Sequence, residues 1–161
     1  SLREMDLLMG VITGIRNIRG EMNIKPSLKV NAIIDLADMK QADIFERNLK
    51  HIESLATVNN ISISSGDPKP KASATALFEQ NQVHVILKGL LNFEEEKNRL
   101  KKEIKKIENE MSFSEKKLSN KGFLEKAPEE VVKEVREKVE TLSSRLSKLN
   151  QNLSFFETIN D

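Results

Sequence analysis

The stretch NKGFLEKAPEEVV, Asn120 to Val132, interrupts a long run of charged, heptad-spaced sequence. It brings a Gly, a Pro and two bulky apolar residues, Phe123 and Leu124, into a region that reads as helix on both sides. Before it, spacings of four and three pick out Phe93, Lys97, Leu100, Ile104, Ile107, Met111, Ser114 and Leu118. After it they pick out Val132, Val135, Val139, Leu142, Leu146, Leu149, Leu153 and Phe156. Fourteen of these 16 positions are apolar. A repeat averaging ~3.5 residues makes a narrow apolar seam that must find a partner.

Folding the chain back at the break supplies that partner. Leu118 then faces Val132, Met111 faces Val139, Ile104 faces Leu146 and Phe93 faces Phe156, and each pair of residue numbers adds to 249 or 250. Two regular heptad stripes always give a constant sum, so the weight lies in the centre of the fold-back, which falls near Glu125 within the Gly- and Pro-bearing segment. Gly122 is expected to take the left-handed conformation that ends a helix. Pro128 suits the first turn of the next helix, whose positive end Glu129 and Glu130 then face. Phe123 and Leu124 are expected to plug the end of the seam. The expected element is an antiparallel two-helix coiled coil with its turn at 121–127. At ~1.5 Å per residue, the helix from Phe93 to Leu118 should run roughly 38 Å, and with little core to gain elsewhere it should project.

Upstream the pattern changes. Residues 2–22 have helical spacing through Met5, Leu8, Ile12, Ile15, Ile18 and Met22, with Arg16 and Arg19 on a neighbouring face and Pro26 closing the segment. Residues 27–36 are rich in β-branched types and read as a strand. Residues 38–58 return to helical spacing through Ile44, Leu49, Ile52 and Leu55. Residues 60–64 alternate as a short strand, 65–71 are a loop, and SATALFE and VHVILKG flank Gln80-Asn81-Gln82 as a hairpin. His84, between Val83 and Val85, reads as an ordinary surface histidine. The fold class is therefore α+β: a small helix/sheet unit over 1–90, followed by the coiled-coil arm over 91–161.

Composition removes several functions. The 161 residues include no Cys and two His far apart, His51 and His84, which leaves neither a zinc site nor a disulfide framework. The absence of Cys suits a reducing cytoplasm. No apolar run approaches the ~20 residues of a membrane span, and no signal peptide is visible. The opening Ser-Leu, already in helical register, suggests a piece of a longer protein. No acid, base, nucleophile and metal set converges, so no enzyme is expected in this chain by itself.

Net charge is +1, so any basic surface must be local. Residues 97–126 hold ten basic and five acidic residues, a local excess of five, while the second helix is nearly balanced. A solvated coiled-coil surface accounts for such charges; so does a stripe that lies along phosphates. Phe113 and Phe123 are the stacking candidates, and Phe at such positions is commonly core. Contact with a nucleic acid should then be made through backbone and shape.

EEEKNRLKKEIKKIENEM and KKLSNKGFLEKAPEEVVKEVREKV closely resemble the C-terminal arm of valyl-tRNA synthetases, with Lys117-Leu118-Ser119-Asn120, Phe123 and Lys126-Ala127-Pro128 in the family order. IRNIRGEMNIKP, 15–26, is similar to the end of the anticodon-binding region shared by valyl-, isoleucyl- and leucyl-tRNA synthetases. Asn92 stands where the family usually has Asp. The resemblance implies a parent that joins valine to its tRNA using ATP, in the cytoplasm, with ATP and Mg held by a catalytic domain. Neither the His-Ile-Gly-His nor the Lys-Met-Ser-Lys-Ser signature of that domain is present, so no cofactor is expected in this piece. The partner implied is valine-specific tRNA, met at the outer corner where its D and T loops join, by a monomeric protein. Arg99, Lys102, Lys106, Lys117, Lys121 and Lys126, all off the seam, are expected on tRNA phosphates. Arg16 and Arg19 are expected on the anticodon stem, or else in ion pairs with Glu21 or Asp35. Lys97, on the seam, should snorkel. A protein-interaction hairpin of scaffold or chaperone type is the competing reading, and helices paired between chains a further one.

Overall fold

The computed structural model describes residues 2–159, which divide into two compact units, one over residues up to Leu91 and one over Asn92–Thr158. In the first, α1 spans Leu2–Glu21, β1 Val30–Asp35, α2 Ala42–Arg47, α3 Leu49–Ala56, β2 Val58–Ser64, β3 Ser73–Phe78 and β4 Asn81–Ile86. The sheet order is β2-β1-β4-β3. β1 runs parallel to β2, and β4 is antiparallel to both β1 and β3. The parallel pair needs a crossover, which α2 and α3 supply.

Helix α1 packs on β3, β4 and α3, and α3 packs on β2. Leu7, Val11, Ile15, Ile34, Ile52, Val83 and Val85 are fully buried between them. The buried stripe of α1 keeps the expected Ile12, Ile15 and Ile18, with Met22 just after it, but is rotated toward Leu7 and Val11, which enter the core, while Met5 is 56% exposed. The two glycines of this face explain the rotation. A Cβ on Gly14 would stand 3.2 Å from both Ala76 Cβ and Val83 Cγ1, and one on Gly10 3.1 Å from Phe78 Cβ. The helix comes to the sheet on the side where it has no side chain, and the flanking apolar residues follow it inward.

The single helix expected over 38–58 is two helices. Asn48 donates from Nδ2 to the Ile44 carbonyl at 2.7 Å, which diverts that acceptor from the backbone ladder and breaks α2 from α3. Thr57 then turns left-handed at φ 55°, and Val58 already belongs to β2. Leu55, which keeps the helical apolar spacing, is 48% exposed. The hairpin turn lies at Glu79 and Gln80, with Glu79 at φ 53°. Asn81 is a buried strand residue: its side-chain oxygen accepts from Ala37 N at 2.9 Å and its Nδ2 donates to Gln41 Oε1 at 3.2 Å. His84 is also buried, opposite Ile33 and Thr75 in the sheet register, with Nδ1 2.7 Å from Thr75 Oγ1. Burial holds its pKa below the ordinary imidazole value; the charge of Asp35 acts the other way and that of Lys69 adds to the lowering.

The second unit is a helical hairpin of α4, Phe93–Ser119, and α6, Glu129–Thr158, joined through a short α5, Lys121–Lys126. Asn92 caps α4, its side-chain oxygen accepting from Glu95 N at 3.1 Å, and Glu94, Glu95 and Glu96 occupy the first turn. Every expected seam residue is buried or half-buried; Leu100, Ile104, Ile107, Ser114, Leu142, Leu149 and Phe156 are the deepest. Two cross-helix contacts fix the antiparallel register. The Phe93 and Phe156 rings lie 5.9 Å apart, and Arg145 Nη2 meets Glu103 Oε1 at 2.6 Å. The helices pair within one chain.

The reversal differs from the expected one. Gly122 lies inside α5 and has no left-handed φ. Asn120 does the work instead. Its extended backbone ends α4, and its side chain accepts from Phe123 N at 3.2 Å to start α5. A Cβ on Gly122 would come 3.2 Å from that Oδ1, so glycine leaves the cap undisturbed. Ala127, extended as a residue before proline must be, leads to Pro128, whose carbonyl accepts from Val131 N and Val132 N. Phe123 is half-buried, whereas Leu124 is 37% exposed and leaves the seam end partly open.

Candidate nucleic-acid interface

The seam sets the direction of every other side chain on α4. At ~100° per residue, Lys102, Lys105, Lys106, Lys116 and Lys117 all point within roughly 70° of the direction opposite the seam. Glu103, Glu108, Glu110 and Glu115 point roughly 90–130° away from that direction, beside the seam. The five outward lysines are exposed. Between 98 and 119 the outer face of α4 therefore carries charge of a single sign, and exposed Lys121 and Lys126 extend it through α5. Among the described residues, none of these seven lysines has a carboxylate within salt-bridge distance. A stripe of one sign on a rigid helix raises the local concentration of a polyanion.

Arg99 is in a different state. Its guanidinium meets Glu96 Oε2 at 3.0 Å and Glu103 Oε2 at 3.1 Å, and the other oxygen of Glu103 meets Arg145. Arg99 thus anchors a four-residue network across the hairpin, with its charge compensated. Lys97 reaches Glu94 Oε1 at 2.6 Å, and that hydrogen bond, with the charges of Lys97 and Lys101, holds the Glu94 carboxyl below the usual range. Its side chain is 21% exposed, as a seam lysine with its ammonium at the surface should be.

Arg16 and Arg19 belong to the first unit, at a groove of about 400 Å³ lined also by Ile24, Pro26, Leu55 and Thr57. Arg16 is exposed and donates from Nε to the Leu55 carbonyl at 3.0 Å. Arg19 is 9% exposed, and burial lowers its pKa from the ordinary guanidinium value. Its guanidinium donates to the carbonyls of Lys25 at 2.8 Å, Pro26 at 3.3 Å and Thr57 at 3.3 Å. It ties the end of α1 to the start of β2 through backbone acceptors, not through the carboxylates considered from the sequence. Arg19→Ala leaves those carbonyls short of a charged donor and should lower stability by about 1–3 kcal/mol. The check is urea unfolding followed by circular dichroism, and a variant as stable as the parent chain would contradict this role.

Three outward lysines not singled out from the sequence, Lys105 and Lys116 on the outer face and Lys101 at its edge, are exposed beside those that were. Their signal was available in the angle each makes with the seam. Phe113, a stacking candidate from the sequence with the core as its competing reading, is 63% exposed on the same outer face, with Lys117 Nζ 4.8 Å from its ring centroid. Among the described residues no group of three or more His, Cys, Asp or Glu is placed to hold a metal ion, and no helix is long and apolar enough to cross a membrane.

Residues 92–156 match the family model described as the valyl tRNA synthetase tRNA binding arm. Among curated relatives, the valine–tRNA ligase of Thermotoga maritima is 40% identical over 157 residues, covering 96% of this chain. Those of Geobacter sulfurreducens and Syntrophotalea carbinolica are 39% and 37% identical, covering 88% and 92% of it. The chain spans only 16–17% of the length of these relatives.

Proposed function

We propose that this chain, whose residues 92–156 match the family model of the valyl tRNA synthetase tRNA binding arm, is the non-catalytic tRNA-binding C-terminal part of a valine–tRNA ligase. The parent enzyme joins valine to its tRNA using ATP, with ATP and Mg held by a catalytic domain outside these residues. The partner is valine-specific tRNA, the protein acts as a monomer and its setting is the cytoplasm. The single-sign outer face of α4 carries this reading. Lys102, Lys106, Lys117, Lys121 and Lys126 contact phosphates at the tRNA outer corner, and the hairpin recognises its shape. Arg99, engaged by two carboxylates, serves the arm's rigidity more than phosphate binding. Residues 1–90 form the end of the anticodon-binding region, where exposed Arg16 reaches the anticodon stem and Arg19 holds the local chain.

Salt tests the proposal. Each phosphate neutralised releases condensed counterions, so log affinity falls with log salt by roughly 0.7–0.9 per contact. Five lysine contacts should give a slope of about −3.5 to −4.5 for valine-specific tRNA, read by fluorescence anisotropy at several KCl concentrations. A hairpin built for a protein partner shows no such slope, and a flat line with tRNA would refute the assignment.

A further inference from the structure

One side chain of the outer face fits neither a solvated surface nor a purely ionic one. Phe113 lies opposite the seam, so it adds nothing to the packing of α4 on α6, and it exposes 63% of its surface to water. Burying such a ring against a flat apolar partner would gain roughly 1.5–3 kcal/mol. The neighbourhood narrows what that partner is. Lys117 Nζ sits 4.8 Å from the ring centroid. Lys106 lies on the same face about 10 Å back along the helix axis, Lys102 about 16 Å back and Lys116 about 5 Å forward. An apolar protein surface brought to this ring would have to desolvate those ammonium groups without compensating them. A nucleotide chain supplies both chemistries, a flat apolar base and an anionic backbone.

We infer that Phe113 is a stacking platform for a nucleobase of the bound RNA, with Lys106 and Lys117 on the phosphates to either side. The inference rests on the reading of the arm as tRNA-binding and adds to it a contact that is not electrostatic. It takes up Phe113, named from the sequence as a stacking candidate, beside the backbone and shape recognition expected there. Every base has a π-face, so the contact adds affinity without sequence preference. Lys117 holds the ring by a cation–π contact in the free protein and turns to a phosphate as the base arrives.

The experiment is a titration of fluorescein-labelled valine-specific tRNA with the wild-type chain and with Phe113→Ala, Phe113→Leu and Phe113→Trp, each at several KCl concentrations. Base–aromatic stacking contributes about 1–3 kcal/mol per base by alanine substitution, so Phe113→Ala should bind roughly five- to 150-fold more weakly. Phe113→Leu, which keeps apolar bulk but has no π-face, should be weakened similarly, and Phe113→Trp should bind as wild type or more tightly. The salt slope should be the same for all four, because no phosphate contact is removed. Thermal unfolding should also be unchanged, since the ring is outside the seam. Wild-type affinity in Phe113→Ala or in Phe113→Leu would overturn the stacking role while leaving the ionic reading in place. A loss accompanied by a shallower slope would also overturn it, because the ring would then act only by positioning Lys117. Absence of salt-dependent tRNA binding by the wild-type chain removes the ionic reading and this inference with it.

Discussion

Changing Lys102, Lys106 and Lys121 together to Glu should weaken binding of valine-specific tRNA by two orders of magnitude or more at low salt. The three substitutions take residues 97–126 from ten basic and five acidic side chains to seven and eight, so the local charge goes from +5 to −1. Three lost phosphate contacts should flatten the plot of log affinity against log salt by about 2–3, and the three new carboxylates add repulsion. The lysines are exposed and, among the described residues, none pairs with a carboxylate, so the hairpin itself should keep its helicity and its unfolding midpoint. In a full-length valine–tRNA ligase carrying this segment, amino-acid activation measured by pyrophosphate exchange should be unaffected while transfer to tRNA becomes limited by binding. Unaltered tRNA affinity in the triple variant would exclude the outer face of α4 as the contact surface.

Replacing Leu100 by Ala should destabilise the hairpin by about 2–5 kcal/mol. Leu100 is 1% exposed and sits in the seam between α4 and α6. A two-helix element has no second layer to collapse into the cavity, which places the expected loss toward the upper part of that range. Amide exchange resolved by peptide should report it as faster opening throughout 93–158, with the amides of β1 and β4 unchanged. Exposed Leu124, truncated in the same way, should shift stability by less than about 0.5 kcal/mol. Equal effects at the two positions would contradict the seam.

The hairpin was legible because its information is local and repeated. Each heptad restates which face is apolar, and the only non-periodic segment marks the reversal. What the period could not carry was competition by single polar side chains. Ile44, Leu49, Ile52 and Leu55 keep helical spacing across Asn48, yet the Asn48 amide takes the Ile44 carbonyl and ends the helix. Asn81 looked like a turn residue, and its partners at Ala37 and Gln41 lie some forty residues away in sequence. His84 and Arg19 are polar types whose burial depends on chain brought in from elsewhere. In the candidate interface, charge excess was readable from counting, but its sorting required the seam as an angular reference. Arg99 shows the difference: it has Glu96 three residues before and Glu103 four after, a spacing that favours pairing, and only the hairpin's register adds Arg145.

The constant register of the hairpin also makes it a ruler. Because residues on the outgoing helix face partners at fixed numbers on the returning one, an insertion in one helix alone would put every facing pair beyond it out of step. Reach can therefore be lengthened or shortened only in matched steps, one heptad out and one heptad back, each moving the tip by about 10 Å.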